Sequence, residues 1–496
     1  MIPFLYLITN LLWAVYTGHI FLLLILYWRK ERSATQSGDS AHPLPDASVY
    51  PLVTVQLPLY NEAVVASRLL EAVARLDYPR DRLQIQVLDD STDETTAILT
   101  RLVAGYQQKG LAIDLIRRPD RSGFKGGALA YGMDRANGEF IAIFDADFVP
   151  QPDFLARTIP ELVGHPKWAF VQARWGHLNA DYSVITGVQS LAIDSHFFID
   201  QAVRHWAGLP MHFNGTAGVW RRAAIEESGG WQHETLCEDL DLSYRALLQG
   251  WQPGYLPDLV APAELPPQLA AFKQQQFRWA KGSIQCVKKL WHPLWHSSFP
   301  LWKKLISLVH LSGYTINFLV LLIVLLSPIF ALVSPTASWL MLLGLLSFGV
   351  LAYPLYYLTA IRAGHPEDWG RVIGTRLFPL MLLGLGMTLN NSLAIFQGLF
   401  NVGQQVFRRT PKFDVIRAGD LWQENSYRLP LSGLVLGEIG VSLYCLGGAL
   451  LAFGAGQYLL IPTMLLYALG FGYTAWVSIH ESRGDVRRWL VALARP

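Results

Sequence analysis

The chain has 496 residues, enough for more than one domain, and 16% of them are charged, against ~25% in ordinary soluble domains. The formal net charge of +2 excludes the strongly basic character of many nucleic-acid-binding proteins, so we expect no nucleic acid as a partner. Three widely spaced cysteines, Cys237, Cys286 and Cys445, exclude a disulfide framework or a cysteine metal site and fit a reducing compartment.

Charge is missing mainly from three segments, which predict membrane-spanning helices. Met1–Trp28 and Leu305–Ile361 contain no Asp, Glu, Lys or Arg, and Leu429–His480 contains a single acid, Glu438. Because one span takes ~20 apolar residues, the first segment predicts one helix and each of the others predicts two. The first segment is too long for a signal peptide and lacks the basic residues that would precede one.

Basic residues at the ends of these segments predict the orientation of the protein. Arg29, Lys30 and Arg32 follow the first helix, and a cluster of arginines beginning at Arg483 follows the last. By the positive-inside rule both flanks are cytoplasmic, and two helical hairpins between them return the chain to the same side. We therefore expect a multi-pass protein of the bacterial inner or plasma membrane, or of the Golgi in a eukaryote, with a cytoplasmic polar domain.

Two further segments are predicted to lie at the membrane surface. The uncharged run Leu377–Phe407 is long enough to span, yet basic residues flank it on both sides, so both of its ends favour the cytoplasm. We interpret it as an interfacial or re-entrant segment, with a sixth span as the alternative. The stretch Trp291–Trp302, rich in Trp and flanked by lysines, predicts a helix lying in the interface.

Between the first two membrane segments, short apolar runs alternate with helical patterns. This alternation predicts an α/β domain whose mainly parallel sheet is covered by helices on both faces. The predicted strands are Val53–Leu57, Ile85–Leu88, Leu111–Ile116 and Phe140–Phe144. The predicted order along the chain is a transmembrane helix at 1–32, a linker at 33–50, the α/β domain at 51–285, an interfacial helix at 286–304, two transmembrane helices at 305–361, an interfacial or re-entrant segment with a loop at 362–428, two transmembrane helices at 429–480 and a cytoplasmic tail at 481–496.

Acidic or polar loops follow several of these strands, at the sheet edge where open α/β sheets bind ligands. Asp145 and Asp147 follow the fourth strand, and two such carboxylates form a hard oxygen site that suits Mg²⁺ or Mn²⁺ holding a phosphate. A solvated acidic turn is the alternative. Asp89 and Asp90 follow the second strand and are candidates to accept hydrogen bonds from a base or ribose, or to cap the next helix.

Three more clusters carry candidate chemistry, each with a structural alternative. Lys125 lies among glycines and is placed to reach a phosphate, or it is a solvated lysine. Asp239 belongs to three acids in the first turn of a helix, which compensation of the helix dipole explains only in part. Arg278 and Trp279 suit a phosphate and a stacked sugar, or form an interfacial Trp with a snorkelling Arg.

Together these pieces resemble the family 2 glycosyltransferases, in particular the processive cellulose synthase-like branch. The resemblance is closest to the plant enzymes that make glucomannan and xyloglucan backbones, and it runs from about Val53 to Ser283. It implies a nucleotide-diphospho-sugar transferase domain of the GT-A type embedded in a multi-pass helical membrane protein. The motifs that carry it are QLPLYNE, QVLDDSTD, IAIFDADFVPQPDFL, FVQARW, FNGTAGVWR, GGW and QQFRW.

The resemblance also implies a role for each matching residue. Two positions depart from the family's pattern: Cys237 replaces the threonine of the Thr-Glu-Asp motif, and Arg409 stands where the gating loop has valine. The implied roles are nucleoside binding by Asp89 and Asp90 with Tyr60, Asn61 and Glu62 at the same pocket, nucleotide binding by Lys125, metal and diphosphate binding by Asp145 and Asp147, general base catalysis by Asp239, diphosphate binding by Gln275 and Arg278, acceptor binding by Asn214 and Trp279, and a gating loop at Phe407, Thr410 and Lys412.

The expected reaction is a single displacement with inversion, in which hexosyl units pass from a nucleotide sugar to a growing β-1,4-glycan that the protein then translocates. UDP-glucose and GDP-mannose are both candidate donors, with a slight preference for UDP-glucose. Transfer of one sugar to a membrane lipid is the alternative reaction, and a catalytically silent membrane scaffold is an alternative of another class. Whether a second copy or an accessory subunit completes the channel stays open, as does the role of Glu438, which either lines a pore or pairs helices.

Overall fold

The computed structural model describes residues 2–34, 50–333, 349–402, 407–417 and 419–482. Three predictions concern segments outside these ranges. They are most of the linker, the break near Ser334-Pro335 between two predicted spans, and the C-terminal tail from residue 483 onward.

The α/β domain is built on a seven-stranded sheet of order β3-β2-β1-β4-β6-β5-β7. The first four strands are mutually parallel, β6 runs antiparallel to both of its neighbours, and β7 is parallel to β5. The prediction of a mainly parallel sheet is confirmed. The strands are Val53–Leu59 (β1), Leu83–Asp89 (β2), Ile113–Ile116 (β3), Phe140–Ile143 (β4), Trp168–His177 (β5), Gly218–Arg221 (β6) and Gln252–Ala263 (β7).

Helices cover both faces of this sheet, and strand β4 shows why. Its alternate residues point to opposite sides: Phe140 and Ala142 join one apolar cluster, whereas Ile141 and Ile143 join the other, and all four are fully buried. The helices up to the membrane region are Ile2–Ala34 (α1), Ala63–Ala74 (α2), Thr95–Gln108 (α3), Phe124–Met133 (α4), Phe154–Gly164 (α5), Val184–Ser195 (α6), Ala202–Trp206 (α7), Arg222–Glu227 (α8) and Glu238–Leu248 (α9), with a π-helical segment at His196–Gln201 and a 3₁₀ turn at Arg80–Arg82.

A long amphipathic helix, Leu269–Trp295 (α10), leads from the sheet domain to the membrane region. It crosses the predicted boundary between 285 and 286, so the separate interfacial helix expected at 286–304 is corrected to the second half of α10 and the start of the next helix. The helices that follow in the described ranges are Leu301–Leu311 (α11), Thr315–Val333 (α12), Gly349–Gly364, Trp369–Val372, Phe378–Phe400, Leu434–Gly454 and Leu460–Glu481, with a π-helical turn at Ile373–Leu377 and a 3₁₀ turn at Trp422–Glu424.

Several of these helices are long and apolar enough to cross a bilayer. In the described part of the chain four qualify by length and composition, and α11 with the first part of α12, bent by 69° at a short break, makes a fifth if the pair is one span. The four are Ile2–Lys30, Trp369–Phe400, Leu434–Gly454 and Leu460–Glu481.

The run Trp369–Phe400 is helical over its 32 residues, with one π-helical turn at Ile373–Leu377, so the chain does not reverse direction within it as a re-entrant segment would. An interfacial helix and a sixth span are the two interpretations that this helix allows. Near its start, Arg376 forms an ion pair of 2.6 Å with Asp181 of the α/β domain. After the helix, Lys412 forms an ion pair of 2.5 Å with Asp147 of the same domain.

Glu438 pairs helices. Its carboxylate forms an ion pair of 2.6 Å with the ammonium group of Lys273, on α10, and both side chains are buried. Lys273 also donates to the Ser478 hydroxyl at 2.9 Å. The pair therefore ties α10 to two of the membrane helices, and because both charges are buried, removing one partner would strand the other.

Candidate active site

A cavity of about 570 Å³ opens at the carboxyl ends of β1 and β4. It continues between α9, α10 and the segment 407–412, so residues that are far apart in the sequence meet around it. The predicted site residues that line it are Tyr60, Glu62, Asp90, Lys125, Asp145, Asp147, Asn214, Asp239, Gln275, Arg278, Trp279, Phe407, Thr410 and Lys412.

Asn61 and Asp89 are predicted site residues that do not line the cavity. Asp89 is 1% exposed, and its two carboxylate oxygens accept the Ser91 backbone N–H at 2.9 Å and the Thr96 hydroxyl at 2.7 Å. The Asn61 side-chain oxygen accepts the Thr92 backbone N–H at 2.9 Å. Both residues therefore fix the loops after β1 and β2, and direct contact of Asp89 with a nucleoside stays a prediction.

Arginines support the two neighbouring residues that do reach the cavity. Arg118 holds both oxygens of Asp90, at 2.8 and 2.6 Å, and the guanidinium of Arg121 lies 3.3 Å from the ring centre of Tyr60. The second contact is a cation–π pair that offers a flat surface to a base. Sequence reasoning missed both arginines, although they stand in the loop just before Lys125.

Asp145 and Asp147 each lie against a lysine. The ammonium of Lys125 is 2.6 Å from Asp145, and that of Lys412 is 2.5 Å from Asp147. The site thus places positive charge beside each carboxylate, which is what a bound divalent cation would supply.

The donor set fits a divalent ion that shares its coordination with a substrate. Within the described ranges no three His, Cys, Asp or Glu residues come together as a complete metal site. Two carboxylates at a strand end suit Mg²⁺ or Mn²⁺, which commonly bind one or two carboxylates and take the remaining ligands from water and substrate phosphates.

The candidate base, Asp239, lies in the first turn of α9 next to a sharp turn of backbone. Gly215 adopts a φ of +81°, and a Cβ there would come 2.9 Å from an Asp239 carboxylate oxygen and 3.5 Å from the Lys125 ammonium. Glycine is therefore needed both for the backbone conformation and for the close approach. Burial and the neighbouring Glu238 carboxylate raise the pKa of Asp239 to about 7, which suits a general base at neutral pH.

Lys125 connects the base to the acidic pair. Its ammonium donates to the Gly215 carbonyl at 3.0 Å and lies 3.9 Å from Glu238, in addition to its contact with Asp145. Burial alone would lower the pKa of Lys125, but the carboxylates around it raise the pKa above its ordinary value. The lysine therefore remains a cation where a leaving phosphate needs one.

Helix α10 supplies the opposite wall through Gln275, Arg278 and Trp279. Arg278 donates to the Arg408 carbonyl at 3.2 Å, and its guanidinium lies 4.5 Å from the ring centre of Phe407. Cys237, the departure from the family's threonine, packs with its sulfur 3.8 Å from the Trp279 carbonyl oxygen. Cys237 therefore packs between the turn that precedes Asp239 and helix α10, which carries Trp279.

The segment 407–412 lies inside the cavity, where a gating loop was predicted. Besides the Lys412 contact, Arg409 reaches the Glu62 carboxylate at 3.4 Å and Phe407 stacks on Phe124 with ring centres 5.8 Å apart. Burial raises the pKa of Glu62 to about 8, although Arg409 and Lys412 act in the opposite direction. The substitution of Arg409 for valine thus adds an ion pair between the loop and the wall of the site.

The end of the cavity beyond the base has a different lining. Asn214 accepts a hydrogen bond from His196 at 2.9 Å, and His212 contacts His310, on α11, at 3.2 Å. His196 and Asp200 were also missed by sequence reasoning, although their spacing of four residues places them on one helical face.

A mainly parallel sheet with acids at its strand ends, a lysine beside them and a buried aspartate across the cavity defines a nucleotide-sugar transferase domain of the GT-A type. The family described as "Glycosyltransferase like family 2" matches residues 51–282. "Probable glucomannan 4-beta-mannosyltransferase 9" of Oryza sativa subsp. japonica is 34% identical over 476 residues, covering 91% of this chain and 88% of that protein. The chain belongs to the family 2 glycosyltransferases.

Two further comparisons describe parts of the chain. "Glucomannan 4-beta-mannosyltransferase 2" of Arabidopsis thaliana is 41% identical over 285 residues, which are 56% of this chain and 53% of that protein, so this match spans about half of the relative's length. Among solved structures, a mannosyltransferase from Pyrobaculum calidifontis, in complex with GDP-Man and Mn²⁺, matches with a TM-score of 0.50 at 22% identity, covering 80% of this chain and all of that one. This likeness concerns the fold.

Proposed function

We propose that this protein is an inverting hexosyltransferase that transfers mannosyl units from GDP-mannose to O4 of a growing β-1,4-glycan. The observation that carries the proposal is the convergence of Asp239, Lys125 and the Asp145–Asp147 pair in one cavity, with Arg278 and Trp279 on its far wall. Mannose replaces glucose as the favoured sugar because the curated relatives described above are named as glucomannan 4-beta-mannosyltransferases.

The geometry supports a direct displacement at the anomeric carbon of the donor. The donor diphosphate lies between Lys125, Arg278 and the acidic pair, and Mg²⁺ or Mn²⁺ held by Asp145 and Asp147 would neutralise charge on the leaving phosphate. Asp239 takes the proton from the acceptor hydroxyl as its oxygen bonds to the anomeric carbon. The bond between that carbon and the diphosphate oxygen breaks, and Lys125 and Arg278 stabilise the charge that leaves.

Inversion follows from the roles of the two neighbouring acids. Glu238 lies beside the base, but it faces the Lys125 ammonium at 3.9 Å, which assigns it to the charge balance of the donor side. Asp239 alone is then left as the base, with no carboxylate nucleophile. A single displacement on an α-linked donor gives a β-linked product.

The arrangement in the membrane completes the proposal. We place the α/β domain in the cytoplasm, with α10 and the helix Trp369–Phe400 along the membrane surface and the other apolar helices spanning it. The exposed Trp291 and Trp295 in the second half of α10 support this placement, because tryptophan favours the membrane interface. The cavity reaches Asn317 on α12, so a glycan acceptor that extends past Trp279 points towards the membrane helices.

A donor panel tests the proposal. Purified protein in nanodiscs with Mn²⁺ is given labelled GDP-mannose, UDP-glucose or UDP-galactose, and the product is sized and digested with linkage-specific glycanases. We expect chains made from GDP-mannose that a β-1,4-mannanase degrades, and at least about 100-fold less product from Asp239→Asn. Chains made from UDP-glucose and cut by an endoglucanase would overturn the choice of sugar, and label confined to a lipid, one sugar per molecule, would overturn the polymer.

A further inference from the structure

A buried polar network stands behind Asn214, on the acceptor side of the base. After α6 the chain adopts π-helical turns at His196–Gln201, an irregularity that is often found at functional sites. The network's central residue, His196, has both ring nitrogens engaged, one with the Asn214 side-chain oxygen at 2.9 Å and the other with the Asp200 carboxylate at 3.3 Å.

This network fixes the orientation of one amide. The Asn214 side-chain oxygen accepts from His196, and the Asn214 backbone N–H donates to the Gln172 side-chain oxygen at 2.9 Å. Both the side chain and the backbone of Asn214 are therefore held in place. The side-chain nitrogen is then left shielded from solvent and without a hydrogen-bond partner in the described part of the chain. A buried donor without a partner is costly, and a network that served the fold alone would satisfy it.

Asn214 itself is next in the chain to the backbone that packs on the reacting groups. Asn214 lines the cavity and immediately precedes Gly215, whose backbone packs against the Asp239 carboxylate and the Lys125 ammonium. A sugar that stacks on Trp279 and presents one hydroxyl to Asp239 brings its other hydroxyls to this part of the wall. Hydroxyl oxygens are suitable acceptors for the free N–H groups of an amide.

The network is also anchored to a membrane helix. Arg204, which is 2% exposed, donates to the Asp200 carboxylate at 2.9 Å and to the ring of His19, on α1, at 2.9 Å. A continuous set of contacts therefore runs from α1 through Arg204, Asp200 and His196 to Asn214. The amide is held in relation to the membrane helices, along which the product leaves in the proposed reaction.

We propose that Asp200 and His196 are positioning residues that orient the Asn214 amide to donate a hydrogen bond to a hydroxyl of the acceptor sugar, beside the hydroxyl that Asp239 deprotonates. The inference rests on the proposed function, because it assigns a contact with the acceptor in that reaction. Asn214 is the group that contacts the sugar, and the other two act through it.

Variants of His196 separate this role from a structural one. His196→Ala is expected to raise the KM for a β-1,4-manno-oligosaccharide about tenfold, the factor for one lost hydrogen bond. GDP affinity and the slow hydrolysis of GDP-mannose in the absence of acceptor should stay within about twofold of wild type, since the donor contacts are untouched. His196→Gln, which retains a donor near the Nε2 position, should recover most of the loss, and the exposed His292→Gln serves as the matched control.

Asn214→Asp keeps the test decisive if His196→Ala does not fold. The carboxylate retains an oxygen for His196 but has no N–H to donate, so the same rise in acceptor KM is expected. An unchanged acceptor KM in Asn214→Asp, or equal losses of GDP binding, hydrolysis and transfer in His196→Ala, would overturn the inference. Failure of the proposed function is seen separately, as wild-type protein that does not elongate the oligosaccharide from GDP-mannose. In that case the variant ratios are measured with whichever donor the panel identifies.

Discussion

The two ends of the cavity differ in how their polar groups are balanced. On the donor side each acid near the strand ends is paired with a cation, whereas beyond the base a single acid, Asp200, is paired with Arg204 and the remaining polar contacts are hydrogen bonds of histidine, amide and hydroxyl groups. The donor-side pairs are Asp90 with Arg118, Asp145 with Lys125, Asp147 with Lys412 and Glu62 with Arg409. The hydrogen bonds beyond the base join His196 with Asn214, His212 with His310 and Tyr314 with Gln276.

This difference matches the chemistry of the two substrates. A nucleotide sugar brings a diphosphate, whose charge needs cations and a metal in place before it arrives. A glycan brings only hydroxyls, and directional hydrogen bonds and aromatic surfaces recognise them without a net charge. The donor side is built on strand ends, with the segment 407–412 paired to their acids, whereas helices build most of the acceptor side.

The comparison predicts that loss of the base stops transfer without loosening the donor. Asp239→Asn should lower kcat by roughly 10²- to 10⁴-fold, because the acceptor hydroxyl loses its proton acceptor. GDP affinity in the presence of Mn²⁺ should be unchanged. Radiolabelled transfer and calorimetric GDP titration of the same preparation check both halves, and a variant that loses GDP binding together with transfer would break the division between the two sides.

An acid on the donor side should have the opposite effect. Asp147→Asn is expected to weaken Mn²⁺-dependent GDP binding by more than about 100-fold, since even outer-shell partners of a metal are worth 10- to 100-fold in metal affinity. Calorimetry with and without Mn²⁺ measures the effect. The exposed Asp153→Asn is the matched control and should bind as wild type does. GDP binding that remains Mn²⁺-dependent in Asp147→Asn would remove this residue from the metal site.

The acid limb of the pH–rate profile should report the base and its neighbour. A base works only when it is deprotonated, and the pKa of Asp239 is raised to about 7. We therefore expect kcat/KM to be low at acidic pH and to rise as the pH passes through about 7. Glu238→Gln removes the like charge that helps to raise this pKa, which should move the limb to lower pH by roughly one unit. A limb that stays in place would show that another group controls the rate.

The smallest effect is expected for the lysine that pairs with Asp147. Lys412→Met removes this competing ammonium, so Mn²⁺ should bind about five- to tenfold more tightly when no donor is added. Electron paramagnetic resonance of free Mn²⁺ measures this affinity directly. Arg409→Val provides the matched control, because Arg409 pairs with Glu62, and Mn²⁺ affinity equally changed in both variants would contradict a specific role for Lys412.

The position of the acidic pair is predictable from the sequence because it is encoded locally. Asp145 and Asp147 directly follow an apolar strand, so strand periodicity places them at the sheet edge. Lys125, in the first turn of α4, is expected there only from the glycines around it and from the resemblance. Adjacent acids after a strand look alike in sequence, whereas the structure buries Asp89 and sets Asp90, paired with Arg118, in the wall of the cavity.

The acceptor side depends on contacts between distant segments and is therefore largely hidden in the sequence. Nothing near His196 indicates that it meets Asn214, and the pairing of Lys273 with Glu438 joins residues 165 positions apart. Periodicity also does not distinguish one continuous helix from two, which is why α10 was divided at residue 285. Contacts between distant residues and the length of a helix such as α10 depend on tertiary packing, so they become visible only in the three-dimensional structure.

The anomeric configuration of the product shows whether transfer is a single displacement. Product made from GDP-α-mannose is examined by NMR, and the one-bond carbon–hydrogen coupling at C1 distinguishes the two anomers. We expect β-linked mannose only, since Asp239 acts as the base in a single displacement. An α-linked product would contradict this mechanism, because retention requires either two displacements through a nucleophile or attack from the face of the leaving group.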